Sequence, residues 1–267
     1  MSDTVAAGVA DLVLDGVGHT YRSRGAEPVH ALTETSLTIG AGSFVALVGP
    51  SGCGKSTLLE ILAGLRPPSH GCVLLGDAVV VGPGRRRGVV FQQSSSLLPW
   101  RSVARNVELG VELQGLPRAQ RREIVARELA RVGLSDFAGR QVYELSGGMQ
   151  QRTQIARALA ADPEVLLLDE PFGALDTFTR ERLQEELRTI WKQTGKTVVL
   201  VTHSVEEAAL LATRVLVMSP RPGRVIDDHA IDFTRRDASA AELRADPDFV
   251  AFAARVRSSI GVDAGSS

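Results

Sequence analysis

The sequence predicts an α/β fold, a parallel sheet flanked by helices, with a helix-rich block inserted at about residues 94–161. Three observations predict it. Phe44 to Val48, Val165 to Leu168 and Thr197 to Val201 are short apolar runs, the pattern of parallel strands buried on both faces. Helical patterns follow them, at Ser56 to Ala63, around Leu183 to Trp191 and at Ser204 to Ala212, and strands alternating with helices mark this class. Between Leu97 and Ala161 the signals are helical and interrupt that alternation.

Taken in order, Val9 to Val17 and Ser36 to Ile39 read as strands. Phe44 to Val48 ends at a glycine loop and leads into a helix. Cys72 to Leu75 and Gly88 to Phe91 read as two further strands. Gly82, Pro83 and Gly84, with Arg85, Arg86 and Arg87, form a polar turn between them, expected to be solvated. In the helical block, Arg121 to Val132 carries Glu123 four residues before Arg127, a supportive pair on one face, and Gly133 fits a C-cap. Ser146 to Ala160 is the next helix, with a glycine start. Leu183, Leu187, Ile190 and Trp191 mark an amphipathic helix closed by Gly195. After Asp228 the chain turns polar. Phe249, Phe252, Ala253, Val256 and Ile260 mark one last helix before a Gly265-Ser-Ser tail expected to be disordered.

The 267 residues suffice for a core that needs no disulfide or metal staple. A net charge of -1 disfavours a broadly basic nucleic-acid-binding surface, so no nucleic-acid partner is expected. Cys53 and Cys72 are too few for a disulfide framework and fit a reducing cytosol, unbridged. No apolar stretch approaches the roughly 20 residues of a membrane span. The first residues lack the basic segment of a signal peptide, so membrane association is expected to come through a partner. Only three lysines, Lys55, Lys192 and Lys196, stand among the 30 basic residues, and one of them lies in the glycine loop.

That loop, Gly49-Pro50-Ser51-Gly52-Cys53-Gly54-Lys55-Ser56-Thr57, matches GxxxxGK[ST] between a strand and a helix. Its glycines let successive backbone N–H groups turn toward phosphate oxygens, and the helix N-terminus adds a positive dipole end. Lys55 can reach the β- and γ-phosphates, Ser56 can ligate Mg²⁺ and Thr57 can contact the α-phosphate. Such a site needs acid on a neighbouring strand, and Val165-Leu-Leu-Leu-Asp169-Glu170 supplies it. Asp169 can hold Mg²⁺ through water, and Glu170 can polarise the attacking water as general base.

At Leu145-Ser146-Gly147-Gly148-Met149-Gln150-Gln151-Arg152 the chain resembles the signature segment of the ABC transporter ATPases, with Met149 where that family usually has Gln. The resemblance covers about residues 10–230. It implies a P-loop (RecA-like) ABC nucleotide-binding domain, over residues 9–240, with an N-terminal antiparallel β-subdomain and an inserted α-helical subdomain. Residues 241–267 form the C-terminal helix and tail. Ser146 caps a helix whose first N–H groups are free, an end that binds anions; in isolation the Ser-Gly-Gly segment reads as a plain helix cap. The resemblance implies that Ser146, Gly147 and Gly148 close on the γ-phosphate bound to a second copy, so that two ATP molecules join a head-to-tail homodimer. It further implies that Tyr21 stacks on adenine, a packing tyrosine being the alternative. Gln92 touches Mg²⁺ and the water, with Gln93 as the second candidate. Ala174-Leu175-Asp176 couples the two sites, and His203, followed here by Ser204 where the family often has Asp, contacts the γ-phosphate. The cofactors implied are ATP and Mg²⁺.

Three segments, at Gly88 to Val103, Asp169 to Arg180 and Ser219 to Val225, resemble the importer branch for taurine, aliphatic sulfonates, nitrate and related small solutes, with the taurine and sulfonate ATPases nearest. The partners implied are two transmembrane permease subunits and, through them, an extracytoplasmic solute-binding protein, with this chain on the cytoplasmic face of the cell membrane. Leu97, Leu98, Pro99 and Trp100 then fit the groove for the permease's coupling helix, with Trp100 as subdomain core the alternative. A soluble ABC ATPase of translation or repair lacks support, for want of a second cassette or long coiled-coil insertion. A P-loop kinase or GTPase leaves Leu145 to Arg152 and His203 unexplained. An exporter motor stays open, although exporters often fuse motor and membrane domain.

Overall fold

The computed structural model describes residues 10–22, 24, 25, 27–92, 96–112, 114–173 and 175–264; Val9, Gln93, Ser94, Ala174 and the tail from Gly265 lie outside the described residues. The chain opens with β1 (Leu12–Tyr21) and β2 (Val29–Ile39), and then forms β3 (Phe44–Val48) and α1 (Lys55–Ala63). Next come β4 (His70–Leu75), the two-residue β5 (Ala78–Val79) and β6 (Arg87–Val90). The helices α2 (Val103–Glu112), α3 (Arg118–Arg131) and α4 (Gly147–Ala160) follow. Beyond them lie β7 (Val165–Asp169), α5 (Thr177–Thr194), β8 (Thr197–Val201), α6 (Val205–Leu211), β9 (Arg214–Met218) and β10 (Val225–Ala230). Two further helices, α7 (Ala240–Ala245) and α8 (Pro247–Ala264), close the described chain.

Two sheets result. β2, β1, β4 and β5 form an antiparallel sheet in that order, and β10, β9, β3, β8, β7 and β6 form the second. The second sheet is parallel except for β10, which runs antiparallel along β9 at one edge. Successive residues of a strand point to opposite faces, and this sheet buries both. Phe44, Ala46, Val48, Leu166, Leu168, Val198 and Leu200 enter one core with residues of α2, α4, α5, α6 and α8. Val45, Leu47, Val165, Leu167, Val199 and Val201 enter the other, against Leu58, Leu59, Ile61 and Leu62 of α1. Leu12, Leu14, Val73 and Leu75 of the antiparallel sheet close that second core over α1.

Local chemistry sets the helix ends. Ser146 and Asp176 cap α4 and α5 by accepting N–H groups of Met149 and Thr179. Gly195 ends α5 in the left-handed region at φ 61°, a conformation that costs glycine nothing. The α/β class is borne out, and β3 and β8 run over the predicted residues. Three strands, β5, β9 and β10, were not anticipated. The two-residue β5 is too short to show a period, β9 is a short buried run that ends where the Pro- and Arg-rich segment 219–224 begins, and β10, which follows that segment with Asp227, Asp228 and His229, is too polar for a buried-strand pattern. The expectation of a solvated arginine turn is corrected in part. Arg85 is exposed, but Arg86 donates to both carboxylate oxygens of Glu164, at 2.5 and 2.7 Å, and Arg87 donates to the carbonyls of Ala63 and Gly82. The turn is thereby tied to the start of β7 and the end of α1.

Candidate active site

In open parallel sheets ligands bind outside the carboxyl ends of the strands. Here β6, β7, β8 and β3 are neighbours in the sheet, so the residues just beyond their carboxyl ends fall in one row. Gln92 lies past β6, Asp169 and Glu170 end and follow β7, His203 lies past β8, and the glycine loop leaves β3. Four sequence-distant segments converge for this topological reason.

The loop wraps its own lysine. Lys55 is 5% exposed, and its ammonium donates to the carbonyls of Gly49 at 2.8 Å and Pro50 at 2.9 Å. Gly54, at φ 105°, precedes the first residue of α1; a Cβ there would stand 2.7 Å from Leu32 Cδ2 and 2.9 Å from the Ala31 carbonyl. Both the backbone angle and the space require glycine. Ser56 donates to Asp169 Oδ1 at 3.1 Å, and Thr57 shares a 2.9 Å hydrogen bond with the Tyr21 hydroxyl.

Glu170 stands at the centre. Gln92 Nε2 donates to its Oε2 at 3.1 Å, and His203 Nδ1 lies 3.3 Å from the same oxygen. Its backbone is left-handed at φ 43°, rare for a residue with a side chain, and costs about 1–3 kcal/mol. The Glu170 N–H donates to the Val201 carbonyl at 2.9 Å, and its own carbonyl accepts from Gly173 at 3.2 Å. These bonds hold the turn that lifts the carboxylate off the end of β7. Burial pushes the Asp169 carboxyl above the usual carboxylate range, the Ser56 hydroxyl opposes this, and the neighbouring Glu170 adds to it. Ser56, Asp169 and Gln92 together offer hydroxyl, carboxylate and amide oxygens, the hard donors that suit Mg²⁺, and the disfavoured Asp169 charge is one that a cation would stabilise.

The other predicted residues lie elsewhere. Ser146 and Gly147 are exposed at the start of α4, and Gly148 packs so closely on α5 that a Cβ would stand 2.2 Å from Thr179 Cγ2. Asp176 caps α5, and its hydrogen bonds from Thr179 lower its carboxyl below the usual range. Among the described residues no hydrogen bond or ion pair joins Ser146, Gly147, Gly148 or Asp176 to the glycine loop of the same chain. Tyr21 does reach the loop, through Thr57, but its ring is already shared. The Arg66 guanidinium lies 4.8 Å over it, and His19 meets it edge-on at 4.7 Å. Trp100 is 74% exposed, which overturns its reading as subdomain core, whereas Leu97 is buried.

Two contributors escaped the sequence reading. Arg66, held by Glu60 at 2.6 Å, has no motif to announce it. Arg221 donates to the Gly52 carbonyl at 3.2 Å, and a Cβ on Gly223 would stand 1.9 Å from the Cys53 carbonyl. The Ser219 to Val225 segment therefore backs the glycine loop, and its Pro-Gly pattern was the available signal. Cys53 and Cys72 are both free.

The model of the family described as ABC transporter matches residues 32–173. Over 224 residues the chain is 51% identical to the taurine import ATP-binding protein TauB of Yersinia pestis bv. Antiqua (strain Antiqua), covering 83% of this chain and 88% of that protein. It is 47% identical over 238 residues to the taurine import ATP-binding protein TauB of Escherichia coli O157:H7, covering 88% and 92%. Among solved structures it is similar to the dimeric post-hydrolysis state of the ATP-binding cassette MJ0796 bound to ADP and Pi. There the TM-score is 0.74 at 34% identity, covering 82% of this chain and 98% of that one.

Proposed function

This chain belongs to the ABC transporter family, and we propose that it is the ATP-hydrolysing subunit of an importer for taurine or a related aliphatic sulfonate, working as a head-to-tail homodimer on the cytoplasmic face of the cell membrane. The observation that carries the reading is the convergence of Lys55, Ser56, Asp169, Glu170, Gln92 and His203 at the carboxyl edge of one sheet, in a chain 51% identical to a taurine import ATPase.

The phosphates of ATP lie along Gly49 to Thr57, whose backbone N–H groups and helix end complement their charge. Lys55 exchanges its carbonyl partners for the β- and γ-phosphates. Ser56, Gln92 and Asp169 would hold Mg²⁺, which would supply positive charge against the phosphates. Glu170 accepts the proton of a water as its oxygen bonds to the γ-phosphorus, and the bond from that phosphorus to the bridging oxygen breaks, leaving ADP and phosphate. Gln92 and His203, both on the same Glu170 oxygen, orient the carboxylate and the γ-phosphate. Tyr21 meets adenine with the Arg66-covered ring. Exposed Ser146 and Gly147, with Gly148 behind them, cap the γ-phosphate bound by the second copy, and Asp176 communicates between the two sites. Loss of the γ-phosphate contacts on hydrolysis opens the dimer.

No helix among the described residues is long and apolar enough to cross a membrane. Transport therefore calls for two permease subunits, contacted around exposed Trp100, and a solute-binding protein outside. Reconstituting the chain with the permease that copurifies from native membranes, together with the cognate solute-binding protein, tests this. ATPase stimulation by taurine-loaded or sulfonate-loaded binding protein is expected. Stimulation by nitrate alone would reassign the solute, and copurification with ribosomal or DNA-bound factors and no permease would overturn the transport role.

A further inference from the structure

Glu207 is a buried carboxylate outside the catalytic row. It sits in the first turn of α6, in the segment Ser204-Val-Glu-Glu207, which has the spacing of a capping box. Among the described residues two such boxes occur elsewhere, at Gln141–Glu144 and Ser239–Glu242, and in both the glutamate accepts the N–H of its own cap residue. Glu207 does not. Its Oε2 accepts from the Thr202 hydroxyl at 2.6 Å, and that hydroxyl in turn accepts the Ser204 N–H at 3.0 Å. Thr202 is 1% exposed. The residues on both sides of His203 are thus fastened through one hydroxyl to one carboxylate, while the His203 side chain itself is 63% exposed with Glu170 at 3.3 Å.

The other oxygen of Glu207 reaches α5. Gln184 Nε2 donates to Oε1 at 3.2 Å, and Gln184 is held from behind by Arg244 of α7 at 3.1 Å. Arg180 Nε lies 3.9 Å from the same oxygen and, although buried, makes no hydrogen bond, while its Nη2 donates to the Leu175 carbonyl at 3.0 Å. One carboxylate therefore meets the turn carrying His203 on one side and, through Arg180, the Leu175–Asp176 turn on the other. Burial pushes its carboxyl above the usual range, with Thr202, Arg180, His203 and Gln184 all opposing that shift. A simple helix cap needs none of this desolvation, as the two exposed capping glutamates illustrate.

We propose that Glu207 is a positioning residue that holds His203 against Glu170 and ties its placement to the Leu175–Asp176 turn. The proposal rests on the reading of His203 as the γ-phosphate contact. Steady-state and single-turnover ATP hydrolysis by the full chain, measured for Glu207→Ala, Glu207→Gln, Thr202→Val, His203→Ala and the Glu207→Ala/His203→Ala double variant, tests it. Misplacing a catalytic group by about 1 Å can cost up to about a hundredfold. Glu207→Ala and Thr202→Val are therefore expected to lower kcat about tenfold, with KM for ATP changed less than about twofold. Glu207→Gln, which keeps an oxygen for Thr202, is expected to recover most of the loss. With His203 already removed, Glu207→Ala is expected to cause no further loss, because groups acting as a unit are not additive. Unchanged kcat in Glu207→Ala or Thr202→Val, or the same loss with and without His203, overturns the proposal. If Glu207→Ala does not fold, Thr202→Val alone carries the decision. Near-normal turnover in His203→Ala would instead overturn the reading beneath it.

Discussion

Glu170, the proposed general base, has a left-handed backbone at φ 43°, and that strain is held by two main-chain hydrogen bonds, to Val201 and from Gly173. Glu170→Gln keeps the size and the Gln92 contact but cannot accept a proton. It should bind ATP as the parent does and lose about 10²-fold or more in kcat; near-normal turnover would remove Glu170 from the role of base. Gly54 makes a different kind of claim, because its position is dictated by φ 105° and by Leu32 and Ala31. Gly54→Ala should weaken ATP binding about tenfold or more, since a left-handed alanine costs roughly 1–2 kcal/mol before any clash is relieved. Titration with a fluorescent ATP analogue measures this, and unchanged affinity would show that the loop can reshape without cost.

At the scale of elements, the site is as firm as the strands that end at it. Leu168 is fully buried one residue before Asp169, so Leu168→Ala should cost about 2–5 kcal/mol in chemical denaturation. The Arg86–Glu164 pair fastens the turn before β6 to the start of β7, and Arg86, through its hydrogen bond, holds the Glu164 carboxyl below the usual range. A lowered folded-state pKa means that the unfolded chain binds the proton more readily. The pair's stabilisation is therefore present above the ordinary carboxylate range and is lost as pH falls through the lowered value. Both partners are partly exposed, so screening limits the effect to about 1 kcal/mol. Glu164→Gln should be less stable than the parent at pH 7 by that amount and equal to it near pH 2. An equal difference at both pH values would mean that the pair contributes through packing alone.

At the scale of the molecule, the proposed function needs a second copy to bring the exposed start of α4 to the glycine loop, and the solved cassette that resembles this one is dimeric. With Mg²⁺ and ATP, Glu170→Gln should run as a dimer in light scattering, and with ADP as a monomer, because only the γ-phosphate gives Ser146, Gly147 and Gly148 something to close on. A monomer in both conditions would overturn the head-to-tail arrangement, as would a dimer that survives Ser146→Arg.

The glycine loop, the β7 acids, the Ser-Gly-Gly cap and the central strands were legible in the sequence because each is local. Phosphate binding needs particular residues at fixed spacing, and a strand buried on both faces needs an unbroken apolar run. β10 was less legible because it is a polar edge strand with no apolar period, whereas β9 carries a buried apolar run, Val215 to Met218, of the same kind as the central strands. By itself, then, the sequence determined the α/β class and the residue inventory of the candidate site. Only the tertiary structure decided that Gln92, Glu170 and His203 share one carboxylate oxygen, that Arg66 covers Tyr21, that Trp100 is exposed and that Glu207 reaches both α5 and Thr202. The physical reason is that strand order, which no local pattern encodes, brings residues separated by 78 positions to 3.1 Å of each other.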